Sequence, residues 1–269
     1  MKSNIGITGS TGSLGRILIK YKKKINYFYF KGDIRKKKEV FEWFKKNRLD
    51  VVIHLAAIVP IKEVNKNKKK ALQTNYLGTK NIVDASLANN ISWLFFSSTS
   101  HVYKSSKIRI KENSRKEPIS YYGKTKLLAE KYIQKKMNKK INYCIGRIFS
   151  TANKNQRKNY LVPDLKIKTK TKSKIIKLEN LNHYRDFILM KDISKIVHFL
   201  RKKKYNGIIN IGNGKPILLK NIAKIIFKKK NKIPVFIDNF KPTFLVSNNS
   251  KLKKLINFKL ENNLRKMIY

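Results

Sequence analysis

The sequence predicts an α/β fold, a doubly wound parallel sheet with a small C-terminal cap. Three observations carry this. Short apolar strand-like runs alternate with helical patterns through about residue 150. A glycine-rich turn joins the first such strand to the first helix, and several strands are apolar without alternation, as strands covered on both faces are.

Taken in order, Asn4–Thr8 reads as a strand, followed at once by the glycine turn and a helical pattern over Leu14–Lys22. Asn26–Phe30 is rich in β-forming aromatics and ends at Lys31-Gly32-Asp33. Lys38–Asn47 is helical, with Val40, Phe41 and Phe44 on one face. Asp50–Leu55 and Ser92–Ser97 read as buried strands. Ala71–Asn89 and Tyr121–Met137 read as long helices, and Asn142–Phe149 as a further strand. Beyond residue 150 the pattern loosens. Thr151–Tyr160 is polar and loop-like, Lys174–Leu178 a short strand, Lys191–Lys202 a helix, Ile208–Ile211 a strand and Leu218–Lys228 a helix. Asn249–Ile268 suits small helices. The expected division is a dinucleotide-binding domain over residues 1–150 plus about 186–212, with residues 151–185 and 213–269 forming a substrate-binding cap.

Composition narrows the function. The chain has 269 residues, 41 % of them apolar, a share that suits a globular protein. No apolar run approaches the roughly 18 residues of a membrane span, so membrane insertion is not expected. Met1–Asn4 runs directly into the first strand without a secretory pattern, and Cys144 stands alone, which fits a cytoplasmic setting. The net charge of +49 invites a nucleic-acid reading. However, ten arginines leave 54 lysines, spread along the whole chain among abundant Ile and Asn. Those three residue types share AT-rich codons, so biased base composition accounts for the charge without a specific nucleic-acid partner. Phosphate and base recognition would favour arginine.

Gly9-Ser10-Thr11-Gly12-Ser13-Leu14-Gly15 sets glycines at i, i+3 and i+6 between strand and helix. The first permits the tight turn, the second lets backbone approach a pyrophosphate, and the third allows close helix packing. The helix N-terminus adds free N–H groups and positive dipole. This predicts a dinucleotide site built from Gly9, Thr11, Gly12, Ser13, Leu14 and Gly15. Asp33 follows Gly15 by 18 residues, near the ~20 expected of an acid that binds a ribose hydroxyl. That favours NAD over NADP, although Arg16 and Arg35 could hold a 2′-phosphate.

These residues, with His54-Leu55-Ala56-Ala57, Asn75–Asn81, Phe96–Tyr103, Tyr122–Glu130, Arg185–Ile188 and Asn210–Gly214, resemble the extended short-chain dehydrogenase/reductase family. The resemblance is to its NAD-dependent epimerase/dehydratase group, which acts on nucleotide sugars. It covers residues 4 to about 214 and implies a Rossmann-type sheet with bound NAD or NADP. The family's Tyr-x-x-x-Lys pattern occurs five times in this lysine-rich chain. Only Tyr122 and Lys126 open a helix about twenty residues after the Phe96–Tyr103 motif. Spacing of four puts them on one helical face. An adjacent ammonium stabilises phenolate, and a fall of about two units from the usual ~10 corresponds to about 2.7 kcal/mol.

By resemblance, Tyr122 is the acid/base, Lys126 also holds the nicotinamide ribose, and Thr99 hydrogen-bonds the reacting oxygen. Leu55, Ala56 and Ala57 border the cofactor, while His54 is structural. Family dehydratases carry Asp-Glu after the catalytic Thr. Here Ser100 and His101 stand there, which disfavours dehydration and marks both as candidate substrate residues. An imidazole titrates near neutrality, so His101 could serve as a base. Arg185 is a candidate for the nucleotide pyrophosphate.

The chain's shortness resembles dTDP-4-dehydrorhamnose reductases. The implied function is an oxidoreductase on a nucleotide-linked sugar, a 4-ketoreductase or epimerase supplying surface polysaccharide. A UDP-glucose 4-epimerase-like enzyme with retained NAD is the alternative. A catalytically silent NAD(P)-sensing or nucleic-acid-binding module is a third reading. The resemblance also implies a homodimer paired through Ala71–Asn89 and Tyr121–Met137.

Overall fold

The computed structural model describes residues 3–21, 25–59, 61–137, 139–153, 156 and 160–269. The chain runs β1 (Ile5–Thr8), α1 (Ser13–Tyr21), β2 (Tyr27–Tyr29), α2 (Lys37–Asn47), β3 (Val51–His54) and α3 (Ile61–Lys66). Next comes one continuous helical rod. It consists of α4 (Lys68–Leu72), a π-helical turn at Gln73–Leu77 and α5 (Gly78–Ala88). Then follow β4 (Trp93–Thr99), a 3₁₀ turn at Ser100–Val102, α6 (Tyr121–Met137), β5 (Asn142–Ile148), β6 (Ser150–Ala152) and α7 (Leu161–Lys168). The remainder is β7 (Ile175–Glu179), β8 (Tyr184–Arg185), β9 (Phe187–Leu189), α8 (Met190–Lys202), β10 (Gly207–Ile211) and β11 (Ile217–Leu218). After these come α9 (Leu219–Lys228), β12 (Ile233–Ile237), β13 (Phe244–Leu245), α10 (Ser250–Leu255) and α11 (Leu264–Ile268).

Six strands form the central sheet in the order β10-β5-β4-β3-β1-β2. The pairings of β1 with β2 and β3, of β3 with β4, and of β4 with β5 are all parallel. The chain starts mid-sheet and winds outward in both directions, which creates a crevice beyond the strands' carboxyl ends. Register sets Thr8 beside His54 and His54 beside Phe96. Those three side chains therefore stand in a row across the sheet at that end.

Val51–His54 are all buried, as are Trp93–Phe96. Unbroken burial on successive residues requires cover on both faces, since neighbouring side chains point to opposite sides. One cluster of Phe30, Val40, Phe44, Val52, Leu94, Ile133 and Ile145, with their neighbours, forms this core. Each such side chain removed from water contributes about 1.5–3 kcal/mol.

The chain separates into two compact units. The first comprises Met1–Lys104, Arg115–Ile148 and Lys191–Ile209, and the second Ser105–Ser114, Phe149–Met190 and Asn210–Tyr269. The boundaries differ from the sequence expectation at residues 105–114, 149–150, 186–190 and 210–212. Residues 105–114 leave the first unit because Ile110 donates to Val246, bridges Ser247 and accepts from the Asn210 amide. Residues 186–190 and 210–212 belong with the second unit because the Asp186 carboxylate accepts from the backbone of Asn213, Gly214 and Ser247 and from the Ser247 hydroxyl. The second unit has its own core of Val162, Leu165, Leu178, Phe187, Ile222 and Phe227. It also holds strands that the sequence did not reveal. Ser150–Ala152, part of the stretch read as loop, pairs in parallel with β9, and β12 pairs in parallel with β7. Residues 154, 155 and 157–159 of that stretch lie outside the described residues.

Candidate active site

The glycine turn has the three properties that a dinucleotide site needs. Gly9 sits at φ +72°, and a Cβ there would lie 2.6 Å from the Ala56 nitrogen and 2.8 Å from the Leu55 carbonyl carbon. The turn is thus pressed against the Leu55–Ala56 backbone, and L side chains are excluded. At Gly15 a Cβ would run into the Gly9 carbonyl and Ser10, so α1 starts in direct contact with the turn. Gly12 differs, since a Cβ there would meet only the Gly9 oxygen, at 3.2 Å. Gly12 is the least crowded of the three, which suits backbone approach by a pyrophosphate. The Gly12 N–H bonds Gly9 O and the Arg16 N–H bonds Gly12 O, each at 3.0 Å, closing the turn into the helix. Thr11 is exposed at its tip, with Ser13 and Leu14 half-buried behind it. These residues fit a nicotinamide dinucleotide.

Asp33 is not a lone acid waiting for a ribose. Arg35 grips both carboxylate oxygens through Nε at 3.0 and 2.9 Å, and its backbone N–H donates to the same group. Arg35 holds the Asp33 carboxyl below the usual carboxylate range. Beside the turn, Ser10, Arg16, Ile19, Lys20, Ile25, Tyr27 and Tyr29 line a groove of about 430 Å³ with two cations and no carboxylate. The preference for NAD that Asp33 alone implied is therefore balanced by its arginine partner.

Thr99 ends β4, where its Oγ1 accepts the His101 N–H at 3.2 Å. That bond caps the 3₁₀ turn and lays the His101 ring edge-on to Tyr122, with centroids 6.0 Å apart. Gly123 makes this approach possible, because a Cβ there would collide with the His101 carbonyl. One helical turn on, the buried Lys126 places its Nζ 3.9 Å above the Phe96 ring. Burial drives the Lys126 ammonium down to about 7, with Glu130 opposing the shift. Thr99, His101 and Tyr122 thus form one contiguous group, with Lys126 one helical turn beyond Tyr122.

His54 lies in a directed chain of hydrogen bonds. The Thr79 hydroxyl donates to the Asn75 carbonyl at 2.8 Å, so it accepts from His54 Nε2 at 3.0 Å. Nδ1 then carries no proton and accepts from the Thr8 hydroxyl at 2.6 Å, whose oxygen accepts the Ala56 N–H at 3.3 Å. Each bond fixes the direction of the next, which assigns the Nε2–H tautomer. Burial, with Lys126 adding to it, lowers the imidazole to about 3, so it stays neutral. The Asn75 side chain holds the Ile58 backbone through both N–H and C=O and donates to Thr125 Oγ1 at 3.2 Å. Thr125 in turn donates to the Tyr122 carbonyl at 2.8 Å. The π-helical turn carries Asn75, a distortion that recurs at functional sites. Asn75 and Thr125 therefore tie the Ile58 backbone to the Tyr122 helix.

Ser100, expected near substrate, is buried at 3 % exposure. Arg185 belongs to the second unit, where its Nη1 donates to the carbonyls of Tyr184 and Thr243. Its burial lowers it to about 10. Sequence reasoning missed Phe96, Gly123, Ser98 and the pair Glu130–Arg147. Glu130 had a signal, being one of only 15 acids and four residues after Lys126. Among the described residues no cluster of His, Cys, Asp and Glu could hold a metal, and no helix is long and apolar enough to cross a membrane.

Fold, glycine turn and tyrosine–lysine helix together define a nicotinamide-dinucleotide protein of the short-chain dehydrogenase/reductase type. The chain belongs to the NAD dependent epimerase/dehydratase family, whose profile matches residues 5–212. Among curated relatives, it is 29 % identical to the UDP-glucose 4-epimerase of Mycoplasma genitalium, with 93 % of this chain and 83 % of that protein covered. It is 27 % identical to the GDP-6-deoxy-D-talose 4-dehydrogenase of Aggregatibacter actinomycetemcomitans, covering 77 % and 74 %. A UDP-glucose 4-epimerase of Pisum sativum is 32 % identical over 100 residues, 37 % of this chain and only 29 % of the pea protein's length. Among solved structures, the UDP-glucose 4-epimerase of Thermus thermophilus in complex with NAD superposes with TM-score 0.86 at 18 % identity, covering 98 % and 96 %. RMD from Pseudomonas aeruginosa complexed with NADPH gives TM-score 0.86 at 17 % identity, covering 99 % and 96 %.

Proposed function

We propose that this protein is an NAD(P)-dependent oxidoreductase acting at C4 of a nucleotide-linked sugar, as a 4-epimerase or 4-ketoreductase in surface-polysaccharide precursor synthesis. The observation that carries this reading is the grouping of Thr99, His101, Tyr122 and Lys126 around one strand end in the unit that holds the glycine turn. The named activities of the Mycoplasma and Aggregatibacter relatives support the position on the sugar, since both refer to the 4-carbon.

A bound nicotinamide dinucleotide supplies the hydride acceptor and donor. Tyr122 Oη takes the sugar hydroxyl proton as that carbon is oxidised, or returns it on reduction. The Thr99 hydroxyl hydrogen-bonds the reacting oxygen. The Lys126 ammonium favours phenolate over phenol at Tyr122 and would hold the nicotinamide ribose. His101, edge-on to Tyr122, is placed to meet the sugar, and its backbone bond to Thr99 keeps it there. Gly9, Gly12 and Gly15, with Thr11, Ser13 and Leu14, seat the pyrophosphate, bordered by Leu55, Ala56 and Ala57.

The test is turnover of UDP-glucose with NAD, and of a 4-keto nucleotide sugar with NADH or NADPH, by wild type and Tyr122→Phe. The variant should lose about 10²–10⁴-fold in kcat, the usual weight of a general acid–base group. Full activity in Tyr122→Phe would overturn the assignment. NAD that stays bound through purification marks an epimerase, whereas stoichiometric consumption of free NAD(P)H marks a reductase. A homodimer through the two long helices accompanies this proposal, supported by the exposure of Leu77 and Leu128 on them.

A further inference from the structure

The densest buried charge in the first unit lies one helical turn below Lys126. Glu130 and Arg147 are 0 % and 1 % exposed. Arg147 donates to the Glu130 carboxylate through Nε at 3.0 and 3.2 Å and through Nη2 at 2.7 Å. The Ser98 hydroxyl donates to the same carboxylate. Arg147 Nη1 donates to the Tyr103 hydroxyl at 2.8 Å, and the guanidinium lies 4.8 Å from the centre of the Tyr103 ring. Burial opposes the guanidinium charge, and the Glu130 carboxylate outweighs it and holds Arg147 protonated.

A buried ion pair is weak evidence of stabilisation, because well-packed apolar residues often serve the fold as well. What distinguishes this pair is its attachments. Ser98 immediately precedes Thr99 on β4, and β5 sets Arg147 directly opposite Ser98. Glu130 shares its helical face with Lys126 and, a further turn back, Tyr122. Tyr103 follows the 3₁₀ turn that carries His101. The pair therefore clamps the three pieces of chain that bear Thr99, His101 and Tyr122–Lys126.

We propose that Glu130 is a positioning residue for the C4 chemistry, locking the Lys126 helix turn to the Thr99 strand end and acting as the counter-charge to the Lys126 ammonium. This rests on the assignment of Tyr122 and Lys126 as the acid–base pair. Lys126 Nζ lies over the Phe96 ring on β4, and neutral His54 on β3 and Glu130 on its own helix act on its charge, with Tyr122 one turn back on α6. Glu130 is the anion among them that favours the charged amine, and the Phe96 ring face adds a cation–π attraction. Without Glu130, Lys126 would deprotonate more readily and sustain phenolate at Tyr122 less well.

Two readouts test this. Titration of the Lys126 Cε resonance in carbon-13-labelled whole protein reports the amine's ionisation without any turnover and without a reagent having to reach it. The pH profile of kcat reports its effect on Tyr122. In Glu130→Gln the Lys126 midpoint should fall by at least half a pH unit from that of wild type. The limb of kcat for sugar oxidation should move to higher pH while KM stays within about two-fold. Glu130→Asp should restore both. Should Glu130→Gln fail to fold because Arg147 is left bare, Glu130→Met/Arg147→Met removes that charge, and the midpoint should fall by a smaller amount. An unchanged midpoint in the folded variant overturns the proposal. If wild type turns over no nucleotide sugar, the functional reading fails, yet the Lys126 titration still decides the role of Glu130.

Discussion

Acidification should unfasten the protein at His54, by an amount that follows from its surroundings. The imidazole is 1 % exposed, and both of its nitrogens are committed, Nε2 as donor to Thr79 and Nδ1 as acceptor from Thr8. A second proton would place an N–H against the Thr8 hydroxyl hydrogen, in a site that burial and Lys126 already hold at about 3. In the unfolded chain the same ring titrates near 6.5. Between those values the unfolded state binds more protons, so stability falls as pH falls. It is fully present above about 6.5 and lost progressively down to about 3. From pH 7 to pH 5 the loss is roughly 1.5 pH units' worth, about 2 kcal/mol. Urea unfolding at pH 5, 6 and 7 should show this slope in wild type. His54→Gln should be less stable at pH 7 but lack that component, so that the difference between the proteins narrows by about 2 kcal/mol at pH 5. Parallel pH dependences in the two proteins would refute the buried neutral assignment.

The glycine turn separates fold from function. Gly12→Ala should weaken NADH binding at least about tenfold by fluorescence titration while costing less Tm than Gly9→Ala, because its new methyl group, 3.2 Å from the Gly9 oxygen, takes up space where backbone approach is needed. Gly9→Ala should lower Tm as well, since a Cβ there strikes the Ala56 nitrogen. Cys144 is buried on β5, so a thiol reagent such as DTNB should label it only as fast as the protein opens, and urea should raise that rate. Sedimentation at micromolar concentration should show a dimer, and Leu128→Glu should shift it to monomer if the long helices pair.

The sheet was legible because buried parallel strands write themselves as unbroken apolar runs. Val51–His54 and Trp93–Thr99 needed little else, and Tyr121–Met137 was bounded to the residue. The second unit was less legible. β8, β11 and β13 are two residues long, and β12 exposes Ile233, Val235 and Ile237 on one face. Such strands exist only through their partners, and period and propensity carry no record of a partner. At the site, residue types and spacing pointed to Thr99, Tyr122 and Lys126, the first at the end of β4 and the other two one turn apart on α6. Asp33 was read as a lone acid because an arginine two residues on in sequence does not announce a bidentate grip. The Arg147–Glu130–Ser98 clamp joins residues 17 and 32 positions apart, a closure that depends on strand register.

The sheet finishes at β2, just three residues long, with Tyr29 at its outer end. An open margin of main-chain groups can recruit stray strands and seed aggregates. Here the margin offers too few consecutive amides for a visiting chain to zip onto, and Lys31 follows it in the sequence. A concentrated solution of this protein should therefore stay clear of edge-to-edge polymers even though its sheet is never closed.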